Sequence, residues 1–390
     1  MRSPENSHKA SWSEKITRRK YLGILGGTAL GAIVGGALLN RVFLQPDKKT
    51  APATVDPSAN AGPYVESGKS LVALVKCDDR EAGIKKAVEL LGGLSAITSS
   101  SISTHILVKP NVNTPDPYPA CTPSATLRII LGELLAAGIP QDKILVSDLP
   151  EPAYSPELAF SRAGYTDVCD DLGISVHHPP SAEDDPDAWV QLNPRQATTW
   201  ADGFRIARVA LEAAKVISLP CMKHHITAKF TLSMKNSVGL IPIEDRLAPN
   251  WQVGGDSDRI LLHNGPDMSI DLGSKIAELN LAYQTDLVVM DAMECFVTGG
   301  PIVGERDYPG LIIAGSDRLA IDTVAATLLK YYGALDLNVD ISTEEQIARA
   351  REIGIGRCKK NEIALKTADL TTSASDLNDN LSYLDENLPT

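Results

Sequence analysis

The sequence predicts an α/β fold, with a mainly parallel sheet covered by helices on both faces and an inserted hairpin region. Three observations predict it. Short runs such as Leu71–Val75, Ile144–Ser147, Val216–Leu219 and Leu287–Asp291 are apolar at successive positions, so both faces of each strand are buried. Between them lie longer segments with helical spacing and clear start and stop residues. The two kinds alternate along the chain, the pattern that builds parallel strands joined by crossover helices.

Each element has its own signal. After Leu71–Val75, a helical pattern from Arg80 to about Leu91 is stopped by Gly92-Gly93. His105–Lys109 is the next strand. Thr122 and Pro123 then open a helix that closes before Gly138, with Leu127, Ile130, Leu131, Leu134 and Leu135 forming one apolar stripe. Ile144–Ser147 is a strand, Pro156–Ala163 a helix and Ile174–His177 a strand. Residues 179–210, rich in proline and acids, interrupt the rhythm as an insertion carrying a hairpin. Val216–Leu219 resumes it, followed by helices near Ala228–Val238 and Leu272–Ala282. Strands at Leu287–Asp291 and Leu311–Ala314 follow, then a helix capped by Ser316 or Asp317 that runs to Gly333. Domain boundaries fall at a signal or anchor segment over 1–53, a linker over 54–70 and the α/β domain over 71–335. A C-terminal helix and strand occupy 336–368. The tail 369–390, with five acids and no base, is expected to lack fixed structure.

The 390 residues are 43% hydrophobic and 22% charged, which excludes a mainly disordered or fibrous chain. The net charge of −12 is uneven, because the first 53 residues hold nine basic and three acidic residues. The remainder, with 28 basic against 46 acidic residues, carries −18. Such a body is a poor partner for nucleic acid or anionic lipid, so membrane attachment is expected only through the N-terminal segment. There, Arg18-Arg19 with Tyr21-Leu22 precedes an uncharged, glycine-rich run from Tyr21 to Leu39. This has the form of a twin-arginine export signal and makes the export machinery the expected partner. The expected location is the periplasm or the outer face of the cytoplasmic membrane. Uncleaved anchoring is the alternative, because the small-x-small site Ala51-Pro52-Ala53 lies well beyond the apolar run.

Candidate chemistry gathers at strand ends, where open α/β sheets bind ligands. Lys109 and Asn111, followed by the helix start at Thr122-Pro123, suit a small anion. Lys223, His224, Lys235 and Asn236 bracket the next crossover, an expensive set to bury without an anionic partner. Adjacent His224 and His225 cannot face the same way on a strand, which leaves one of them for the site; His224 is the acid/base candidate. Asp291 and Glu294 suit a hard cation or acid–base work, with Gly299-Gly300 letting backbone amides approach a ligand. His263 is a candidate ligand for a divalent metal. Because Lys223-His224 and Lys235 stand at opposite ends of one segment, a short or irregular helix between them, with Lys235 folded back toward His224, is expected. No Gly-x-Gly-x-x-Gly, phosphate-loop, His-Glu-x-x-His or Gly-x-Ser-x-Gly motif is present.

In order, these pieces resemble the domain of unknown function 362 family over about residues 71–333. The resemblance rests on Val108-Lys109-Pro110-Asn111, Thr122-Pro123, Ser147-Asp148, Leu219-Pro220 with Lys223-His224, and Ser233–Gly239. It continues through Asp271-Leu272, Val289-Met290-Asp291-Ala292, Gly299-Gly300-Pro301, and Gly315-Ser316-Asp317 with Asp322. It implies the fold and the motif positions but no agreed reaction. Many members carry an iron–sulfur ferredoxin module. The six cysteines here are widely spaced, with no Cys-x-x-Cys, so that cluster is not expected. The functional expectation is an exported enzyme acting on a small anionic substrate, with a divalent metal as one option. A non-catalytic ligand-binding or electron-transfer accessory is the alternative.

Overall fold

The computed structural model describes residues 61–98, 102–246, 261–263 and 270–390. The expected export segment 1–53 lies outside them. Nine strands form the main sheet: β1 (Val65–Glu66), β2 (Lys69–Cys77), β3 (Ile106–Pro110), β4 (Ile144–Ser147), β5 (Ser175–His177), β8 (Lys215–Leu219), β11 (Leu287–Ala292), β14 (Leu311–Gly315) and β15 (Ile363–Leu370). Their order is β1-β2-β14-β11-β8-β3-β4-β5, with β15 paired to β2. Pairing is parallel from β11 through β8, β3 and β4 to β5, and between β15 and β2. Strand β14 runs antiparallel to both its neighbours, β11 and β2. The link from β11 to β14 carries only the hairpin of β12 (Cys295–Phe296) and β13 (Arg306–Asp307), not the helical crossover that a parallel return needs.

Alternation along the strands divides the core in two. Ile106, Val108, Ile217, Leu287 and Val289 face one apolar layer. That layer is closed by the helices Arg80–Leu90, Ser124–Ala136, Pro156–Arg162 and Tyr165–Leu172. Leu107, Val216, Val288, Met290 and Ile313 face the other. There the helices Leu272–Leu279, Arg318–Tyr331 and Glu345–Glu352 pack, together with the expected insertion hairpin of β6 (Trp189–Leu192) and β7 (Phe204–Ala207). Both faces of the sheet are covered, as the unbroken apolar strands require. Among the described residues, no helix is long and apolar enough to cross a membrane.

Two expectations are corrected. Ala228–Val238 is not a helix. Ala228, Phe230, Leu232 and Met234 are all buried in one layer, a period of two that belongs to extended chain. This segment forms β10 (Lys229–Thr231), which pairs antiparallel with β9 (Lys223–His225), then a 3-10 turn over Lys235–Leu240. The short or irregular helix expected to fold Lys235 back toward His224 is thus replaced by a hairpin, which brings Lys235 beside the cleft that Lys223 lines, not toward His224. The acidic tail is also ordered: a helix over Leu377–Asn387 buries Leu377, Asn380 and Leu384 against the layer that holds Arg318–Tyr331. Its acids lie on the outer side of an amphipathic stripe, which a charge count along the chain does not register. The expected C-terminal helix and strand are present as Glu345–Glu352 and β15.

Candidate functional site

The chain leaves β3 toward β4 and β5 through helices on one layer, then returns past β3 to β8 and continues toward β11 through the other. The connections part company between β3 and β8, a switch point that opens a crevice at the carboxyl ends of these strands. Lys109 is the residue that points into it. Ile106 and Val108 turn to one layer, so Leu107 and Lys109 turn to the other, beside Ser218 on β8.

The Lys109 ammonium is fully paired. Its Nζ lies 2.6 Å from Asp148 Oδ1 and 3.2 Å from Asn236 Oδ1. Asp148 follows β4, and its other oxygen accepts the Val112 amide at 2.7 Å. Asn236 closes the network by donating to Ser218 Oγ at 2.9 Å. Gly239 makes room: a Cβ there would lie 1.6 Å from Asp148 Oδ1 and 2.7 Å from Lys109 Nζ.

Above this pair lies a cleft of about 350 Å³, its open mouth included, whose lining includes Asn111, Asn113, Lys223, Thr231, Lys235 and Arg246. The Lys223 ammonium is buried and donates to the carbonyl oxygens of Ala120 and, at 3.3 Å, Pro301; among the described residues no carboxylate meets it. Burial lowers its pKa. Arg246 is likewise buried and spends its guanidinium on the carbonyls of Leu149, Pro150 and Ile241, with burial pulling its pKa down to about 10. Among the described residues, the Lys235 amine makes no hydrogen bond or ion pair. Burial first, then Lys223 and Arg246, lower its pKa to about 7, against a weaker pull from Glu151. Lys235 as a whole is half-buried; the atoms crowded around its amine, rather than the exposure of the residue, set this shift. Three polar atoms of the lining are buried without a partner: Asn111 Oδ1, Asn113 Nδ2 and Thr231 Oγ1. Asn111 Oδ1 is an acceptor, but Asn113 Nδ2 and Thr231 Oγ1 are unfilled donors, and with the excess of cationic groups they give the cleft the chemistry that receives an anion.

The structure brings together Lys109, Asn111, Lys223, Lys235 and Asn236, all expected at the site. It does not bring Asp291 with them. On β11, Val288 and Met290 face the Lys109 side, so Asp291 points to the opposite layer. There it is fully buried and accepts from Arg80 Nε at 2.8 Å, Tyr118 Oη at 2.7 Å, Thr126 Oγ1 at 2.5 Å and the Met293 amide. Glu294 is engaged by Arg306 at 2.6 Å. His224 also faces away from the cleft, with Nδ1 2.8 Å from Gly299 O and Nε2 3.0 Å from Asp336. Gly299 and Gly300, both at positive φ, shape the loop that delivers the Pro301 carbonyl to Lys223. At Gly300, a Cβ would lie 2.0 Å from the His224 carbonyl oxygen. The His263 amide donates to Arg246 O, and among the described residues no group of three or more His, Cys, Asp or Glu side chains is placed to hold a metal ion.

Of the two adjacent histidines, it is His225 that shares the Lys223 side of β9. Its Nδ1 accepts the amides of Thr227 and Ala228 at 3.2 and 3.1 Å, which leaves the ring proton on Nε2. Burial, and next Lys235, hold its pKa well below the usual range. Asp148, Asn113, Thr231 and Arg246 had no assigned role in the sequence reading. An acid directly after an apolar strand at the ligand-binding edge was a usable signal for Asp148; Arg246 had none. A second signal was Asp322, a lone carboxylate within the apolar helix Arg318–Tyr331. It accepts Ser233 N and Met234 N at 2.7 and 2.9 Å and so fixes the turn that presents Lys235.

The chain is 24% identical over 270 residues to the thylakoid-associated protein sll1697 of Synechocystis sp. (strain ATCC 27184 / PCC 6803 / Kazusa), covering 66% of this chain and 74% of that protein. Among solved structures it is similar to the lactate racemase apoprotein from Thermoanaerobacterium thermosaccharolyticum, with a TM-score of 0.35 and 14% identity over 63% of this chain. It is also similar to a protein from Thermotoga maritima, with a TM-score of 0.38 and 11% identity over 65% of this chain. It spans only 54% and 58% of those two chains. The family described as Domain of unknown function (DUF362) matches residues 106–327, which include every strand and loop that builds the cleft, and the chain belongs to that family.

Proposed function

We propose that this protein is an exported enzyme acting on a small anionic substrate, bound in the cleft between Lys223 and Lys235. One observation carries the reading. Both lysines line one small cleft, and among the described residues neither ammonium meets a carboxylate, the Asp148 carboxylate being spent on Lys109. An anion would offset the cost of holding these charges away from water. Lys235 takes the proton-transfer role expected of His224, since an amine with a pKa of about 7 exchanges protons at neutral pH. The twin-arginine pattern at Arg18-Arg19 supports export.

Calorimetric titration of the full chain with phosphate, sulfate and small carboxylates tests this. Saturable binding is expected, lost in Lys223→Met, with proton uptake at pH 8 as the bound anion restores the Lys235 proton. No saturable heat from any of these anions would remove the reading. A second reading, a non-catalytic binding protein, is favoured by a specific observation: Asp291, Glu294 and His224 are all engaged elsewhere. Binding without turnover of any small anionic substrate would select it.

A further inference from the structure

Building on the anion reading, we propose that the Lys235 amine is a nucleophile that condenses with the carbonyl carbon of a small 2-oxo acid whose carboxylate sits beside Lys223. The amine ends in the cleft with no hydrogen bond or ion pair among the described residues, so nothing must be broken before it attacks. Lys223, Arg246 and Lys109 act on it as like charges, Glu151 opposes them, and His225, with its Nδ1 engaged by two amides, stays neutral. Crowding by the like charges of Lys223, Arg246 and Lys109 favours a neutral amine with a free lone pair. At a pKa of about 7, roughly half of it is neutral at pH 7, against roughly one part in a few thousand for an ordinary lysine.

The rest of the cleft matches the other end of such a molecule. Lys223 spends two of its three donors on Ala120 O and Pro301 O, which leaves one for a carboxylate. Asn113 Nδ2 and Thr231 Oγ1, both buried without partners, are available to a carboxylate or carbonyl oxygen nearby. Competing nucleophiles are poor. Burial pushes the thiols of Cys121 and Cys221 up, and the Ser233 hydroxyl is held by Asp322 at 2.5 Å.

In the step itself, the nitrogen lone pair forms a C–N bond while the carbonyl π pair moves to oxygen, which takes a proton. The resulting carbinolamine expels that oxygen as water. Both amine hydrogens leave with it and a C=N bond remains, with no oxidant or reductant consumed.

The test is reductive trapping. The full chain is incubated at pH 7 with pyruvate or glyoxylate and sodium cyanoborohydride, and the modified lysines are mapped by peptide mass spectrometry. The adduct is expected at Lys235, at least roughly tenfold above any exposed lysine, because so much more of this amine is neutral. Lys235→Arg should lose it, and mapping the unsubstituted chain keeps the test independent of how that variant folds. Pyruvate binding by calorimetry without a Lys235 adduct, or labelling spread evenly over surface lysines, would overturn the imine and leave the anion site standing. Failure of pyruvate and of phosphate to bind at all would overturn the anion reading itself.

Discussion

Lys235 sets the energetics of the cleft as well as its chemistry. In the unfolded chain a lysine keeps its proton up to its ordinary pKa of 10.5, whereas folded Lys235 releases it near 7. Between these values the unfolded chain binds the extra proton, so stability rises with pH through this window, and the cost of the buried charge is complete below pH 7. Replacing Lys235 with Met should therefore stabilise the ligand-free protein at pH 6 by on the order of 1–3 kcal/mol, and by less at pH 9. Urea denaturation at the two pH values checks this; equal effects at both would contradict the assignment. The lysines were legible in the sequence because buried cations at strand ends are costly and therefore informative. The side each residue faces was not. His224 and Asp291 were reasonable by type, yet the alternation of β9 and β11 turns both away from the cleft, and His225 takes the inward position.

Among the elements, the 3-10 turn Lys235–Leu240 carries the greatest burden. It supplies Lys235, Asn236 and Gly239 to the cleft within five residues, and the Asp322 carboxylate on the helix Arg318–Tyr331 holds its start. Gly239→Ala should break the Lys109–Asp148 pair, since the added Cβ has no space beside that carboxylate. A stability loss of roughly 2–4 kcal/mol is expected, the range for a buried ion pair disrupted on one side. Thermal and denaturant unfolding measure it; an unchanged midpoint would mean that the turn moves aside at little cost. The preceding segment shows why this element was misread as helix. Ala228, Phe230, Leu232 and Met234 alternate in the sequence, but four positions are too few to outweigh the helix-stop pattern at Asn236 to Gly239. Most long elements, with ten or more periodic residues or an unbroken apolar run, are legible; the helix Leu377–Asn387 is the exception, because its acids mask its apolar stripe.

At the scale of the molecule, a body of net charge −18 encloses a cationic cleft, so the proposed anion preference would run against the surface around it. On that proposal the attracting field is local, and weak long-range steering with little sensitivity to moderate salt is expected. The proposed export also belongs to the scale of the whole chain. Arg18→Lys with Arg19→Lys should leave the protein in the cytoplasm, read by fractionation and immunoblot, while normal export of that double variant would remove the twin-arginine reading. The order of strand-end motifs made the parallel half of the sheet legible. The strands β14 and β15 are expected as segments, but the antiparallel direction of β14 and the pairing of β15 with β2 are not, because these depend on which distant segments meet, and local pattern is silent on that. The pairing of β15 with β2 joins Cys77 to Leu370 across nearly the whole described chain. During synthesis, β2 is made long before its parallel partner and must wait, one edge unsatisfied, until Ile363–Leu370 has followed it. A chain cut short before residue 363 would keep an open, strand-hungry edge available to its neighbours.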